Sequence, residues 1–244
     1  MINSVGLVIF DCDGVLVDSE PIAIRVHVAL GAEHGWPLTP AEVIERFVGR
    51  SSASIAEQIA ERVGADTAAE WTRGFERLHR IEVDTALSPV DGIEYAVDTI
   101  ADLGLPTCVA SSGSHDKMAH TLGRTGLYDR FAGRIFSASE VAHGKPAPDV
   151  FLHAAARMGV APERCVVVED SVNGLLAARA AGMRSFAYAS DLIAPHLLEG
   201  PHTTVFKSMR DLPGLITDLG PATATGVISG TTRAGLRPSV PPRP

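Results

Sequence analysis

Short apolar runs of strand length recur along the chain, separated by stretches in which apolar positions return every three or four residues. The runs are Val5–Phe10, Pro106–Ser111, Gly133–Ser137, Arg164–Glu169 and Arg184–Tyr188. Strands alternating with helical segments in this way predict an α/β fold on a doubly wound parallel sheet.

One connection breaks the rhythm. The first two runs are separated by roughly a hundred residues, far more than one crossover helix needs. Across Pro21–Leu87 the period is helical, with segments near 20–34, 40–47, 53–63 and 66–84 divided by Gly35-Trp36-Pro37, Val48-Gly49-Arg50 and Gly64. This predicts a small helical cap domain over residues 18–88, carried on hinges at Val17-Asp18 and Ser88-Pro89. The core domain is then made of residues 1–17 and 89–220. The stretch Pro221–Pro244 is rich in Pro, Gly, Thr, Ser and Arg without periodicity, and is expected to be a disordered tail.

At 244 residues with 45% hydrophobic side chains, the chain can bury a sizeable core. No apolar run approaches the ~20 residues that span a bilayer. The N-terminus enters a strand-like run without a basic region or cleavage pattern, so a cytoplasmic protein is expected. Cys12, Cys108 and Cys165 lack CxxC spacing and read as reduced thiols. A net charge of −8 argues against nucleic acid as a partner, and phosphate binding would have to rest on local positive charge.

Four segments carry candidate chemistry. Phe10-Asp11-Cys12-Asp13-Gly14 follows the first strand, where ligands bind in open α/β sheets. Gly14 eases a turn that lets both carboxylates face one cleft, and neighbouring carboxylates call for a cation or a shared proton. The strand Val166–Val168 ends in Glu169-Asp170, and strand ends side by side would join these acids to Asp11 and Asp13 as a site for a hard cation, with magnesium favoured by oxygen ligands. Ser111-Ser112-Gly113 ends another strand with hydroxyls and free N–H groups suited to an anion. Gly144-Lys145-Pro146-Ala147-Pro148 presents one lysine on a stiffened loop. Plainer readings stand beside these: Asp13 as a turn cap, Glu169–Ser171 and Ser111-Ser112 as helix caps, Lys145 as a solvated lysine. The nine histidines show no zinc spacing and read as structural or surface residues.

In this order, the four segments resemble the motif set of the haloacid dehalogenase superfamily, over about residues 5–215. The insertion resembles the helical cap of the β-phosphoglucomutase-like members. Phe10–Glu20 and His153–Arg184 look most like bacterial sugar-phosphate and 6-phosphogluconate phosphatases. The resemblance implies a Mg2+-dependent phosphatase acting on a small phosphorylated metabolite. Asp11 would be the nucleophile and Asp13 the general acid and base. Ser111, Ser112 and Lys145 would bind the phosphoryl group, and Lys145 would also offset charge in catalysis. The metal would be held by Asp11, the Asp13 carbonyl and Asp170, with Glu169 a direct or water-mediated ligand. In the cap, Glu20, Gly49 and Arg50 are candidates to meet the substrate. A phosphohexomutase of the β-phosphoglucomutase type is the alternative, yet Ala23 and Ser52 stand where that branch places histidine and arginine. A non-catalytic binding protein is a third reading, opposed by Asp11 and Asp13 both being present. A monomer is expected, because a closing cap excludes water without a second subunit.

Overall fold

The computed structural model describes residues 5–48, 50 and 52–219. Gly49 and the expected tail, 221–244, lie outside them. Six strands, β1 (Leu7–Phe10), β2 (Thr107–Ser111), β3 (Ile135–Ser137), β4 (Cys165–Glu169), β5 (Arg184–Tyr188) and β6 (Thr203–Phe206), form one parallel sheet in the order β3-β2-β1-β4-β5-β6. The sixth was not among the sequence expectations. Its Thr-Thr-Val-Phe run is four residues at the sheet edge and only half buried, so its apolar signal is weak.

The central strands are apolar throughout because both faces are covered. Val8 and Phe10 of β1 point into one core with α5 (Ile93–Asp102), α6 (His115–Arg124), α7 (Tyr128–Phe131) and α10 (Leu212–Thr217), whose contributions include Ile93, Met118, Phe131 and Ile216. Leu7 and Ile9 point into a second core with α8 (Asp149–Arg157) and α9 (Val172–Ala180). The chain leaves β1 towards β2 and β3, then returns to place β4 on the other side of β1. That reversal opens a crevice at the carboxyl ends of β1 and β4, where such sheets bind ligands.

The long β1–β2 connection holds α1 (Glu20–Glu33), α2 (Pro40–Phe47), α3 (Ser52–Val63) and α4 (Ala65–Ala86). They enclose their own apolar cluster, which includes Leu30, Phe47, Ile59 and Trp71. Trp71 Nε1 donates to His27 Nδ1 at 3.1 Å, and burial pushes the His27 imidazole down to about 4, so it is a neutral acceptor there. The two strands of chain joining this insert to the sheet run side by side: Asp18 N donates to Ser88 O at 2.9 Å and Val90 N to Leu16 O at 3.1 Å. No helix among the described residues is long and apolar enough to cross a membrane. The three cysteines are buried and free.

Candidate active site

Phe10 pairs with Val168 in the β1–β4 ladder, so the next residues, Asp11 and Glu169, leave the sheet beside one another. Between them stands Lys145. Its Nζ donates to Asp11 Oδ1 at 2.6 Å and to Glu169 Oε1 at 2.7 Å, with all three side chains nearly sealed from solvent. The Lys145 ammonium also lies 4.8 Å from the centre of the Phe151 ring. Burial opposes its charge, but Asp11 and Glu169 outweigh that and hold it firmly protonated. Burial and the Glu169 charge push the Asp11 carboxyl up to about 6, against the pull of Lys145. The plain reading of Lys145 as a solvated lysine is thereby excluded.

Glu169 is fully engaged. Its Oε2 accepts from Asp170 N, Ser171 N and Ser171 Oγ at 2.8–2.9 Å, and Oε1 takes Lys145. The cap of α9 is Ser171, whose Oγ accepts from Gly174 N. Gly174 is required by close approach, since a Cβ there would stand 1.7 Å from Glu169 Oε1. Gly174→Ala must push Glu169 off Lys145. We expect it to lower stability by ~2 kcal/mol, read by denaturant unfolding, and to reduce phosphatase activity at the same time.

Asp170 is the unbalanced group. Its carboxylate is 6% exposed and makes no hydrogen bond or ion pair among the described residues. Burial, then the charges of Glu169 and Glu20, raise it well above the carboxylate range. Asp11, Glu169 and Asp170 each place one oxygen within 4.8 Å of the others. Gly14, at φ 74°, leaves the space beside them open: a Cβ there would lie 2.0 Å from Asp170 Oδ2. A buried, unpaired carboxylate among other acids, with room kept next to it, fits a hard cation.

The Asp13 side chain is turned to other partners. Ser19 Oγ donates to Oδ1 at 3.0 Å and Lys117 Nζ to Oδ2 at 2.6 Å. Burial would raise this carboxyl, but Lys117 and the two hydrogen bonds hold it below the usual range. Asp13 thus faces a cavity of about 490 Å³ beneath the helical insert. Glu20, Arg50 and His79 line it from the insert, and Ser112, Gly113 and Lys117 from the sheet side. Burial and the Asp13 charge push Glu20 up to about 7, while burial and Lys117 lower His79. Ser111 is buried at the end of β2, where its Oγ accepts from Gly113 N at 3.2 Å. The cap of α6 is Ser114, neither Ser111 nor Ser112.

The structure therefore gathers Asp11, Lys145, Glu169 and Asp170 in one cluster and sets Asp13, Ser112, Glu20 and Arg50 around the adjoining cavity. Lys117, Ser19 and His79 were missed in the sequence. A signal existed for Lys117: it is the third residue of the helix that follows the Ser111–Gly113 turn, and helical side chains lean back towards the N-terminus.

Comparison with known proteins finds relatives over most of the chain. A family model described as haloacid dehalogenase-like hydrolase matches residues 5–182. The 6-phosphogluconate phosphatase of Escherichia coli K12 is 34% identical over 216 residues, which cover 87% of this chain and 95% of that protein. Hexitol phosphatase A of the same organism is 34% identical over 193 residues, 78% and 86% of the two chains. A crystal structure of a haloacid dehalogenase-like protein from Agrobacterium tumefaciens C58 superposes with a TM-score of 0.79 at 37% identity, covering 88% of this chain and 99% of that one.

Proposed function

The chain belongs to the haloacid dehalogenase-like hydrolase family and is one of its phosphatases, and we propose that it hydrolyses a small sugar, polyol or sugar-acid phosphate with Mg2+ by way of a phosphoryl group carried on Asp11. The observation that carries this reading is the buried Asp11–Lys145–Glu169 cluster beside the unpaired carboxylate of Asp170. The names of the relatives support the substrate class.

An oxygen of Asp11 attacks phosphorus in line as the bond to the leaving oxygen breaks, and Asp13 gives that oxygen a proton. Water then attacks the phosphorus of the aspartyl phosphate, Asp13 takes its proton, and Asp11 is freed. Ser111, Lys145 and the backbone N–H groups of Cys12, Asp13 and Ser112 hold the phosphoryl oxygens while charge develops on them. Asp11, Asp170 and the Asp13 carbonyl would hold Mg2+, which when bound offsets negative charge around the phosphoryl group. Glu169 serves this site chiefly by holding Lys145, with any contact to the metal through water.

The helical insert, residues 18–88, acts as a cap that closes over the leaving group on the paired linkers at Val17-Asp18 and Ser88-Pro89. Arg50 and Glu20 of its cavity wall meet the substrate, and Gly49, next to Arg50 in the sequence, is proposed with them. Ala23 and Ser52 line the cavity where a phosphohexomutase of the β-phosphoglucomutase type would place imidazole and guanidinium, which supports water as the acceptor. The reading extends to a monomer acting in the cytoplasm. A panel of phosphorylated sugars, polyols and sugar acids, assayed for inorganic phosphate with Mg2+ and with a chelator, tests it. Metal-dependent release from at least one of them is expected. A panel left intact together with p-nitrophenyl phosphate would mean a binding protein, and β-glucose 1-phosphate converted to glucose 6-phosphate faster than to free phosphate would mean a mutase.

A further inference from the structure

Helix α6 touches three parts of the site. At its start, Ser114 Oγ accepts the N–H of Lys117 at 3.2 Å, which fixes Lys117 in the first turn. The lysine stem runs back past the anion-binding turn, and a Cβ on Gly113 would stand 3.5 Å from its Cδ. One turn on, Thr121 Oγ1 lies 3.9 Å from Cys12 Sγ, so the helix rests on the segment that carries Asp13. On its face towards the insert, His120 Nε2 is 2.9 Å from Asp84 Oδ1 of α4, and Arg124 donates to the Asp84 carbonyl.

From this frame Lys117 reaches Asp13 across 104 positions of chain, at 2.6 Å. We infer that Lys117 is a positioning residue for protonation of the leaving group: it fixes the Asp13 carboxylate towards the cavity and ties that orientation to the Ser111–Gly113 turn. The inference rests on the role proposed above for Asp13. Without Lys117 the carboxylate keeps one hydrogen bond, from Ser19 to a single oxygen, and gains freedom to turn about its side-chain torsions. Asp11 is held by Lys145 rather than Lys117, so loss of Lys117 leaves the nucleophile in place. The carboxylate seen here is the base form: it takes a proton from the water that frees Asp11 and gives that proton to the leaving oxygen of the next substrate, and the ammonium keeps all of its own.

The test compares kcat/KM for an alkyl phosphate with that for p-nitrophenyl phosphate, whose phenolate departs without a proton. Lys117→Met is expected to lose roughly 100-fold on the alkyl ester and only about threefold on the aryl ester. Lys117→Arg, which can still reach Asp13, should recover most of the alkyl activity. Asp13→Asn provides the reference and should show the same asymmetry. If Asp13→Asn is asymmetric while Lys117→Met loses equally on both esters, the inference is overturned. If Asp13→Asn itself treats the two esters alike, the assignment of Asp13 has failed instead.

Discussion

Asp11→Asn is expected to abolish phosphate release, lowering kcat/KM by ~10³-fold or more with both alkyl and aryl phosphates. An amide oxygen is a poor nucleophile, and no other carboxylate can take over. Glu169 has both oxygens engaged, Asp13 is turned to Lys117 and Ser19, and Asp170 belongs to the group suited to a cation. Asparagine has nearly the same shape, and Lys145 keeps its bond to Glu169, so the fold should survive. Kinetics alongside a thermal unfolding curve checks both parts. Retention of Mg2+-dependent hydrolysis by a folded variant would rule out the covalent route.

Lys145→Met should damage stability and activity together. The variant keeps an apolar stem against Phe151 but removes the ammonium shared by two buried carboxylates. Breaking a buried ion pair by deleting one partner costs about 3–5 kcal/mol. The pH dependence has a definite sign. Asp11 already stands at about 6 in the fold against an ordinary 3.8, and Lys145 is the group that lowers it. Without that cation the folded state holds its proton still more tightly than the unfolded chain does, and a carboxyl raised by folding makes stability fall as pH rises. The Asp11 part of the deficit relative to the parent should therefore be nearly constant below pH 6, where both folded forms keep the proton, grow as pH climbs through and above 6, and be largest at the highest pH measured. Unfolding midpoints measured across this range decide it. A loss independent of pH would show that Lys145 matters for packing rather than charge.

Apart from Lys145, which the prolines of its loop marked, the parts of this site that were legible in the sequence share one property: they follow apolar strands directly. A run such as Val166–Val168 announces a strand, and the parallel sheet then fixes where the next residues, Glu169 and Asp170, emerge. The same logic placed Asp11, Asp13 and Ser111, and the long helical stretch after β1 announced the insert. What stayed hidden depends on side-chain direction. Lys117 and His79 are ordinary helical residues until α6 packs on the sheet and α4 within the insert, after which both line the cavity. Glu169 read by position as a direct or water-mediated metal ligand, and what stayed hidden was that three hydrogen bonds to Oε2 and a lysine on Oε1 also make it the anchor of Lys145. Gly174 looked like any residue in the first turn of a helix, and only its approach to Glu169 shows why a side chain cannot stand there.

The central claim is that phosphate passes through Asp11 before it reaches water. A substrate made chiral at phosphorus by sulfur and oxygen isotopes, hydrolysed in isotopically distinct water, tests it most directly. Two successive in-line displacements, first by Asp11 and then by water, predict inorganic thiophosphate with retained configuration. Inverted configuration would mean that water attacks the substrate itself, and would contradict the account.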